Sequence, residues 1–227
     1  MRILLVGHGR MGQTVASLAG EYGCEVVGVI DPILGPDGPD SAWRDVDVAI
    51  DFSSPDAVAT NVPALAKRGI DLVVGTTGWQ KDEPAVREAI ATAGVGIVAA
   101  PNFSIGVVLF ERIVAHAAKL VASQADFGAW LHEAHHAAKK DAPSGTALLL
   151  ERAMQQAGFA RPIDVSSTRA GHIPGVHAIG FDGPAETIVL THEARDRSTF
   201  ARGALIATRW VNGKRGWFTM ADVLGLV

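Results

Sequence analysis

Two adjacent histidines, two lysines, an aspartate and a Pro-Ser-Gly-Thr helix start follow one another in Glu133-Ala-His-His-Ala-Ala-Lys-Lys-Asp-Ala-Pro-Ser-Gly-Thr-Ala147. The potential cations His135, His136, Lys139 and Lys140 would repel one another in one small volume unless anions offset them. Carboxylates or phosphates are the guests that fit. Pro143 suits the first turn of a helix, where its missing N–H is not needed. The amides of Ser144, Gly145 and Thr146 would then face an anion together with the positive end of the helix dipole. Gly145 lets that anion approach the backbone closely. A polar loop that merely opens an amphipathic helix is the competing reading, and it gives no account of the crowded cations.

The start of the chain supplies a second chemistry. Arg2-Ile-Leu-Leu-Val6 is a short apolar run of strand type, followed by Gly7-His-Gly-Arg-Met-Gly12 and an apolar helical pattern through Val15, Leu18, Ala19 and Tyr22. A second run, Val26-Val-Gly-Val-Ile30, ends at Asp31. Strand, Gly-x-Gly-x-x-Gly, helix, strand and acid in this order form a dinucleotide-binding fingerprint. Gly7 makes the tight turn, Gly9 admits the pyrophosphate, and Gly12 lets helix and strand pack closely. His8, Arg10 and Met11 complete the loop, with Arg10 a candidate phosphate or ribose contact. Asp31 would accept hydrogen bonds from an adenosine ribose.

The elements that must position these residues alternate as far as about residue 103. Strands are expected at 46–50, 72–74 and 95–99, with helices at 55–68 and 82–93 between them. Such alternation predicts a parallel sheet with helices on both faces. Ligands of open α/β sheets sit beyond the carboxyl ends of the strands. The turns Asp51-Phe-Ser-Ser54, Gly75-Thr-Thr-Gly-Trp79 and Pro101-Asn-Phe-Ser104 should therefore line the cofactor site, and 32–39 reads as a Gly/Pro-rich loop. After Ile105 the pattern changes to a helix at 106–122, a strand at 127–134, a helix at 143–157, and strand-like runs at 163–168, 176–181 and 186–192. Helical patterns follow at 200–211 and 217–226. The expected fold is α/β: an N-terminal Rossmann-type parallel sheet and a second α+β domain on a mixed, open sheet. Residues 1–103 with 198–227 would form the dinucleotide-binding domain, and 104–197 the domain for substrate binding and oligomerisation.

Bulk properties exclude several classes. The 227 residues allow one large or two small domains, and a net charge of −4 with 19% charged residues leaves no basic footprint for nucleic acid. The single cysteine, Cys24, forms no disulfide framework and supplies no cysteine metal cluster. The histidines and carboxylates show no tight metal-ligand spacing in sequence, so no metal is expected. No apolar stretch is long enough to span a bilayer, and the chain begins directly on a strand with no hydrophobic signal core. A cytoplasmic location without membrane partners is the expectation.

With these residues laid out, the chain resembles the 4-hydroxy-tetrahydrodipicolinate reductase (dihydrodipicolinate reductase) family over nearly its full length. The most specific likeness is Glu133-Ala-His-His-x-x-Lys-x-Asp-Ala-Pro-Ser-Gly-Thr-Ala147. Gly7-x-Gly-Arg-Met-Gly12, Gly75-Thr-Thr-Gly78, Asn102-Phe-Ser104 and Gly171-x-Ile-Pro-Gly-x-His177 fall in the family's order. The resemblance implies that His135 donates or accepts a proton and that Lys139 donates one. It implies that His136, Gly145 and Thr146 bind a cyclic dicarboxylate substrate, beside Ser144. It implies that Gly75, Thr76, Thr77, Ala100, Pro101, Asn102 and Phe103 contact the dinucleotide, and that the enzyme is a homotetramer. The stretches 32–45 and 177–192 look short for the family.

The residue types suit that reaction. A cationic site beside a helix start offsets a dicarboxylate, and histidine exchanges protons near neutral pH. Other readings stay open: another two-domain nicotinamide dehydrogenase, such as an aspartate or homoserine dehydrogenase relative, or a non-catalytic dinucleotide-sensing module. His172, His177 and His192 read as surface or core-edge histidines. Arg195 or Arg197 either enters a cleft or stays solvated. Asp31 followed by Pro32, with no arginine to clamp a 2′-phosphate, predicts NADH at least as good as NADPH.

Overall fold

In the computed structural model, which describes residues 1–31, 35–36 and 45–226, the chain forms two compact units. The first comprises Met1–Ser104 with Ser198–Val227, and the second Ile105–Arg197.

The first unit is built on strands β1 (Arg2–Val6), β2 (Glu25–Asp31), β3 (Gly35–Pro36), β4 (Val48–Asp51), β5 (Asp71–Val74), β6 (Gly96–Ala99) and β11 (Gly216–Phe218). Their order across the sheet is β11-β6-β5-β4-β1-β2-β3. All neighbours pair in parallel except the two-residue β3, which runs antiparallel to β2. The central strands are covered on both faces, so they read as unbroken apolar runs without alternation. Leu4, Ala49, Leu72 and Ile97 are fully buried in one core cluster with Val62 and Ile90. Val62 comes from α2 (Pro55–Ala66) and Ile90 from α3 (Glu83–Ala93).

Helix α1 (Arg10–Leu18) leaves the glycine loop directly, with Gly9 as its N-cap. Gly7 has φ +90°, and a Cβ there would lie 2.5 Å from the carbonyl oxygen of Phe52. A Cβ on Gly12 would lie 2.2 Å from the carbonyl oxygen of Gly7, so only glycine permits this approach of helix and loop.

The tail departs from expectation. Helix α6 (Ser198–Val211) forms as anticipated and belongs to the first unit, but Trp217 and Phe218 do not continue a helix. They lie in β11, paired in parallel with Ile97 and Val98 of β6. An open sheet edge and two aromatic residues of high strand propensity override the weak helical pattern. Only Met220–Val223 is helical (α7), closed by a capping box between Thr219 and Asp222. The loop expected at 32–39 lies outside the described residues apart from β3.

The second unit carries α4 (Ile105–Val121), β7 (Gly128–His135), α5 (Gly145–Gln156), β8 (Ile163–Arg169), β9 (Val176–Asp182) and β10 (Thr187–Glu193). Its sheet has the order β10-β9-β7-β8, with β7–β8 parallel and the other pairs antiparallel. Val114 of α4 and Leu150 of α5 pack with Leu131, Ile179 and Phe181 in one core. Arg161 closes the C-terminus of α4, donating to the carbonyl oxygens of Val121, Ala122 and Phe127 at 3.1, 3.2 and 2.8 Å. A guanidinium there meets carbonyls that lack intrahelical partners and the negative end of the dipole. Among the described residues, no helix is long and apolar enough to cross a membrane.

Candidate active site

Strand β7 organises the constellation in the second unit. Alternate residues Ala129, Leu131 and Glu133 point inward and are 7%, 0% and 0% exposed, so a carboxylate occupies a core position of the strand's period-two pattern. His135 extends the same row. Across the sheet Glu133 lies opposite His177 of β9, and His135 opposite Arg169 of β8.

The carboxylate of Glu133 is fully engaged. Arg169 grips it with both terminal nitrogens, Nη2 to Oε1 at 2.6 Å and Nη1 to Oε2 at 2.9 Å. Nδ1 of His135 stands 2.5 Å from Oε2, and the Ser144 amide donates to Oε1 at 3.3 Å. Burial alone would raise the pKa of Glu133, but the hydrogen bonds from Arg169, Ser167 and His135 outweigh it and hold the carboxyl at about 2. For His135, burial lowers the pKa first, the charges of Lys139 and Arg169 push the same way, and Glu133 opposes them. Arg169 also donates to the carbonyl oxygen of Asp141 at 2.6 Å, which ties β8 to the loop carrying Lys139.

The helix start differs from the sequence expectation. Pro143 lies before the helix and outside its first turn, because Ser144 is the N-cap and Gly145 the first helical residue. Ser144 Oγ accepts the Ala147 amide at 3.1 Å and stands 3.1 Å from Nε2 of His177. With its amide donated to Glu133 and its side chain 2% exposed, Ser144 is a buried cap and presents neither group outward. The Gly145 backbone meets the Asp141 carboxylate, so the helix start already faces an acid of the same loop. Lys139 Nζ pairs with Asp141 at 2.8 Å, and that contact is the main cause that lowers the Asp141 pKa, with a smaller part from the Gly145 backbone.

Sequence reasoning missed two members of this centre. His177 is 4% exposed, with its ring 5.2 Å from that of His135, and burial followed by the charge of His135 takes its pKa down to about 4. It is thus neither a surface nor a core-edge histidine, and the signal lay in Gly171-x-Ile-Pro-Gly-x-His177. Arg169 had no local signal at all. Ligand atoms of Glu133, His135 and His177 lie within 4.8 Å of one another, a metal-like grouping that sequence spacing concealed. Both Glu133 oxygens already hold a guanidinium, however, and that cation repels a metal ion at the same spot. His192 stands opposite His177 on the neighbouring strand β10, with its ring 5.7 Å from that of Phe110.

The first unit gathers the nucleotide-type residues at the carboxyl ends of its strands. Helix α1 has no side-chain cap and no acid in its first turn, and a Cβ on Gly9 would meet nothing within 4 Å. A helix start kept bare of side chains and acids fits a bound pyrophosphate. The His8 amide donates to Asp31 Oδ2 at 2.5 Å, fixing the acid at the loop. Asp51, fully buried, accepts from Ser53 Oγ at 2.8 Å and Thr76 Oγ1 at 2.7 Å, tying two of the three expected turns together. Phe52 meets Phe103 edge to face at 6.1 Å, tying in the third. Thr76, Ala100 and Phe103 are buried, whereas Thr77 and Pro101 are exposed and Gly75 and Asn102 half-buried. The Asn102 side chain caps its own turn, accepting the Ser104 amide at 2.8 Å. A cavity of about 160 Å³ opens there, lined by Thr76, Pro101, Trp79, Arg87, Trp217 and Thr219. Of these, Arg87, Trp217 and Thr219 were not anticipated.

A parallel sheet with a bare glycine-loop helix start, joined in one chain to a histidine–lysine centre, is the plan of a nicotinamide-dependent reductase of small acids. Residues 1–103 match the family model for the N-terminus of dihydrodipicolinate reductase, and residues 106–224 match that for its C-terminus. The chain therefore belongs to the dihydrodipicolinate reductase family, NAD(P)H-dependent oxidoreductases of lysine and diaminopimelate biosynthesis. It is 34% identical to the 4-hydroxy-tetrahydrodipicolinate reductase of Christiangramia forsetii over 99% of this chain and 98% of that one. The corresponding enzyme of Afipia carboxidovorans is 38% identical, over 100% and 97%. Among solved structures, a dipicolinate-bound dihydrodipicolinate reductase from Paenisporosarcina shares the fold with a TM-score of 0.81, at 22% identity over 98% of both chains.

Proposed function

We propose that this protein reduces 4-hydroxy-tetrahydrodipicolinate to tetrahydrodipicolinate with NADH or NADPH, as a cytoplasmic enzyme. The observation that carries this reading is the loop from His135 to Ser144. It carries His135 and Lys139, whose charge acts on that ring, in the segment that leads into the helix at Gly145, and in this reading the two handle the proton. In this reading His136, Lys139, Gly145 and Thr146 hold the substrate carboxylates, and a carboxylate arriving there takes over the Lys139 contact that Asp141 makes. Reduced nicotinamide, when bound, supplies the hydride. The 4-hydroxyl leaves with a neighbouring ring proton as water, which gives the conjugated imine that takes the hydride. His135 and Lys139 supply the proton that the carbon skeleton then needs, His135 from Nε2, because Nδ1 faces Glu133. The glycine loop 7–12, with Asp31, Gly75, Thr77, Pro101 and Asn102, would hold the dinucleotide. Thr76, Ala100 and Phe103 would shape the site from beneath. The deciding experiment is a coupled assay of NAD(P)H oxidation with freshly generated 4-hydroxy-tetrahydrodipicolinate. Turnover, with competition by millimolar pyridine-2,6-dicarboxylate, is expected; cofactor binding without turnover would instead favour a sensing module.

Cofactor choice follows from Asp31. A carboxylate at the end of β2 accepts from a ribose 2′-hydroxyl and repels a 2′-phosphate. Pro32, whose placement lies outside the described residues, offers no backbone N–H to a phosphate. NADH should therefore be used at least as well as NADPH when kcat/KM is compared at one salt concentration. Asp31→Ala should move the ratio toward NADPH. A clear wild-type preference for NADPH would refute the argument.

We propose further that the enzyme is a homotetramer assembled through the sheet of the second unit. Strand β10 is an edge strand, and Ile188 and Val189 on it are 47% and 51% exposed. An apolar edge of this kind in a monomer would invite aggregation. Sedimentation equilibrium should give four chains per particle, and a monomer would contradict the reading.

A further inference from the structure

We infer that Glu133, held ionised by Arg169, is the positioning residue that fixes the tautomer of His135 and keeps that ring able to carry a proton. The inference rests on the catalytic reading of His135 given above. The geometry is one-sided. Oε2 of Glu133 faces Nδ1 of His135 at 2.5 Å, and an ionised carboxylate can only accept, so the ring proton sits on Nδ1. Nε2 is then the atom left for exchange with substrate.

The bidentate Arg169 contact denies Glu133 the freedom to turn away or to become protonated. Each carboxylate oxygen also has a second duty. Oε1 accepts the Ser144 amide at the start of α5 as well as Arg169 Nη2, while Oε2 accepts from both Arg169 Nη1 and His135 Nδ1. The acid that orients the proton-exchanging ring therefore also seats the helix start assigned to the substrate carboxylate.

The charged and titratable groups around His135 set the sign of the effect. Burial, Lys139 in the loop and Arg169 on β8 all disfavour an imidazolium at His135, His177 on β9 faces it edge to face, and Asp141 is paired to Lys139. Among the described residues, Glu133 is the group that favours the imidazolium. Removing its charge must therefore lower the protonation midpoint of His135, and an amide can present either its oxygen or its NH₂ to Nδ1. The ring then loses its fixed tautomer.

The test uses Glu133→Gln in the full-length protein with ¹⁵N-histidine labelling. In the wild type, His135 should show the Nδ1–H tautomer. In Glu133→Gln the midpoint should fall by about one to three pH units, a mixed tautomer should appear, and the alkaline limb of kcat should move down with it. The KM for NADH, a property of the other unit in this reading, should stay unchanged. Because Glu133→Gln leaves Arg169 unpaired, the double variant Glu133→Gln/Arg169→Gln supplies the same readout if the single variant fails to fold. Arg169→Gln alone, which keeps the acid, should retain the Nδ1–H tautomer. An unchanged midpoint and tautomer in either Glu133 variant would overturn the inference. A shifted ring with an unchanged kcat profile would uphold the positioning role while sinking the catalytic reading of His135.

Discussion

Replacing Lys139 or His135 by alanine should lower kcat by about 10²–10⁴-fold, the range a positioned acid or base contributes. The two losses arise differently. Lys139→Ala removes a cation from the loop and frees Asp141, whose carboxylate Lys139 holds at 2.8 Å. An unpaired acid beside the Gly145 amide then repels the substrate's own carboxylate, so KM for substrate should rise together with the fall in kcat. His135→Ala removes the ring but leaves Lys139–Asp141 and the helix start in place. Its effect should fall mainly on kcat. It also leaves Glu133 with Arg169 and the Ser144 amide still bound, so the buried carboxylate stays satisfied and the unit should remain folded. Dinucleotide affinity should barely change in either variant, because the glycine loop belongs to the other unit. Steady-state kinetics with nucleotide titration by fluorescence separates these outcomes. A variant that keeps near wild-type kcat removes its residue from the proton-handling pair.

The parts of this molecule that were legible in sequence are those set by local period and local chemistry. Short apolar runs bounded by turns gave β1, β4, β5 and β6, since strands covered on both faces carry no alternation to misread. The glycine loop could be placed because its spacing, preceding strand and following helix are all contiguous. What stayed hidden depends on register. Glu133 and Arg169 are 36 positions apart, and only the parallel pairing of β7 with β8 puts a guanidinium on that carboxylate. His177 enters through the antiparallel pairing of β9 on the other side of the same strand. One clue was present: the inward row of β7 runs Ala129, Leu131, Glu133, and a carboxylate at a core position needs a buried partner. The helix start was misjudged for a related reason. Proline suits the first helical turn in general, but here Ser144 has a side chain able to cap and an amide that Glu133 requires, so the helix begins one residue beyond it. Trp217 was misread because its partner strand, β6, lies far back in the chain.

Gly203→Ala should destabilise the protein, against the usual sign for a glycine inside a helix. Gly203 lies within α6, where alanine is favoured over glycine by about 1 kcal/mol through backbone entropy alone. A Cβ at this position, however, would lie 1.7 Å from the carbonyl oxygen of Phe103. That oxygen belongs to backbone, so no rotamer change relieves the overlap; either α6 or the turn at Phe103 must move. Overpacking of this kind costs typically 1–3 kcal/mol, and a main-chain displacement belongs at or above the upper end. The clash therefore exceeds the gain in propensity, and a net loss of about 2 kcal/mol or more should lower Tm by about 4–8 °C for a chain of this size. Phe103 ends the turn that follows β6 and meets Phe52 edge to face, so its displacement reaches the turns assigned to the dinucleotide. KM for NADH should rise more than kcat falls, because the proton-handling residues sit in the other unit. Gly20→Ala serves as the control, since a Cβ there meets nothing within 4 Å; its Tm should hold or rise. If thermal unfolding showed Gly203→Ala as stable as the Gly20 variant, the close approach of α6 to the Phe103 turn would not exist in solution. The same substitution would then leave nucleotide binding untouched, and the role given to this turn would fall with it.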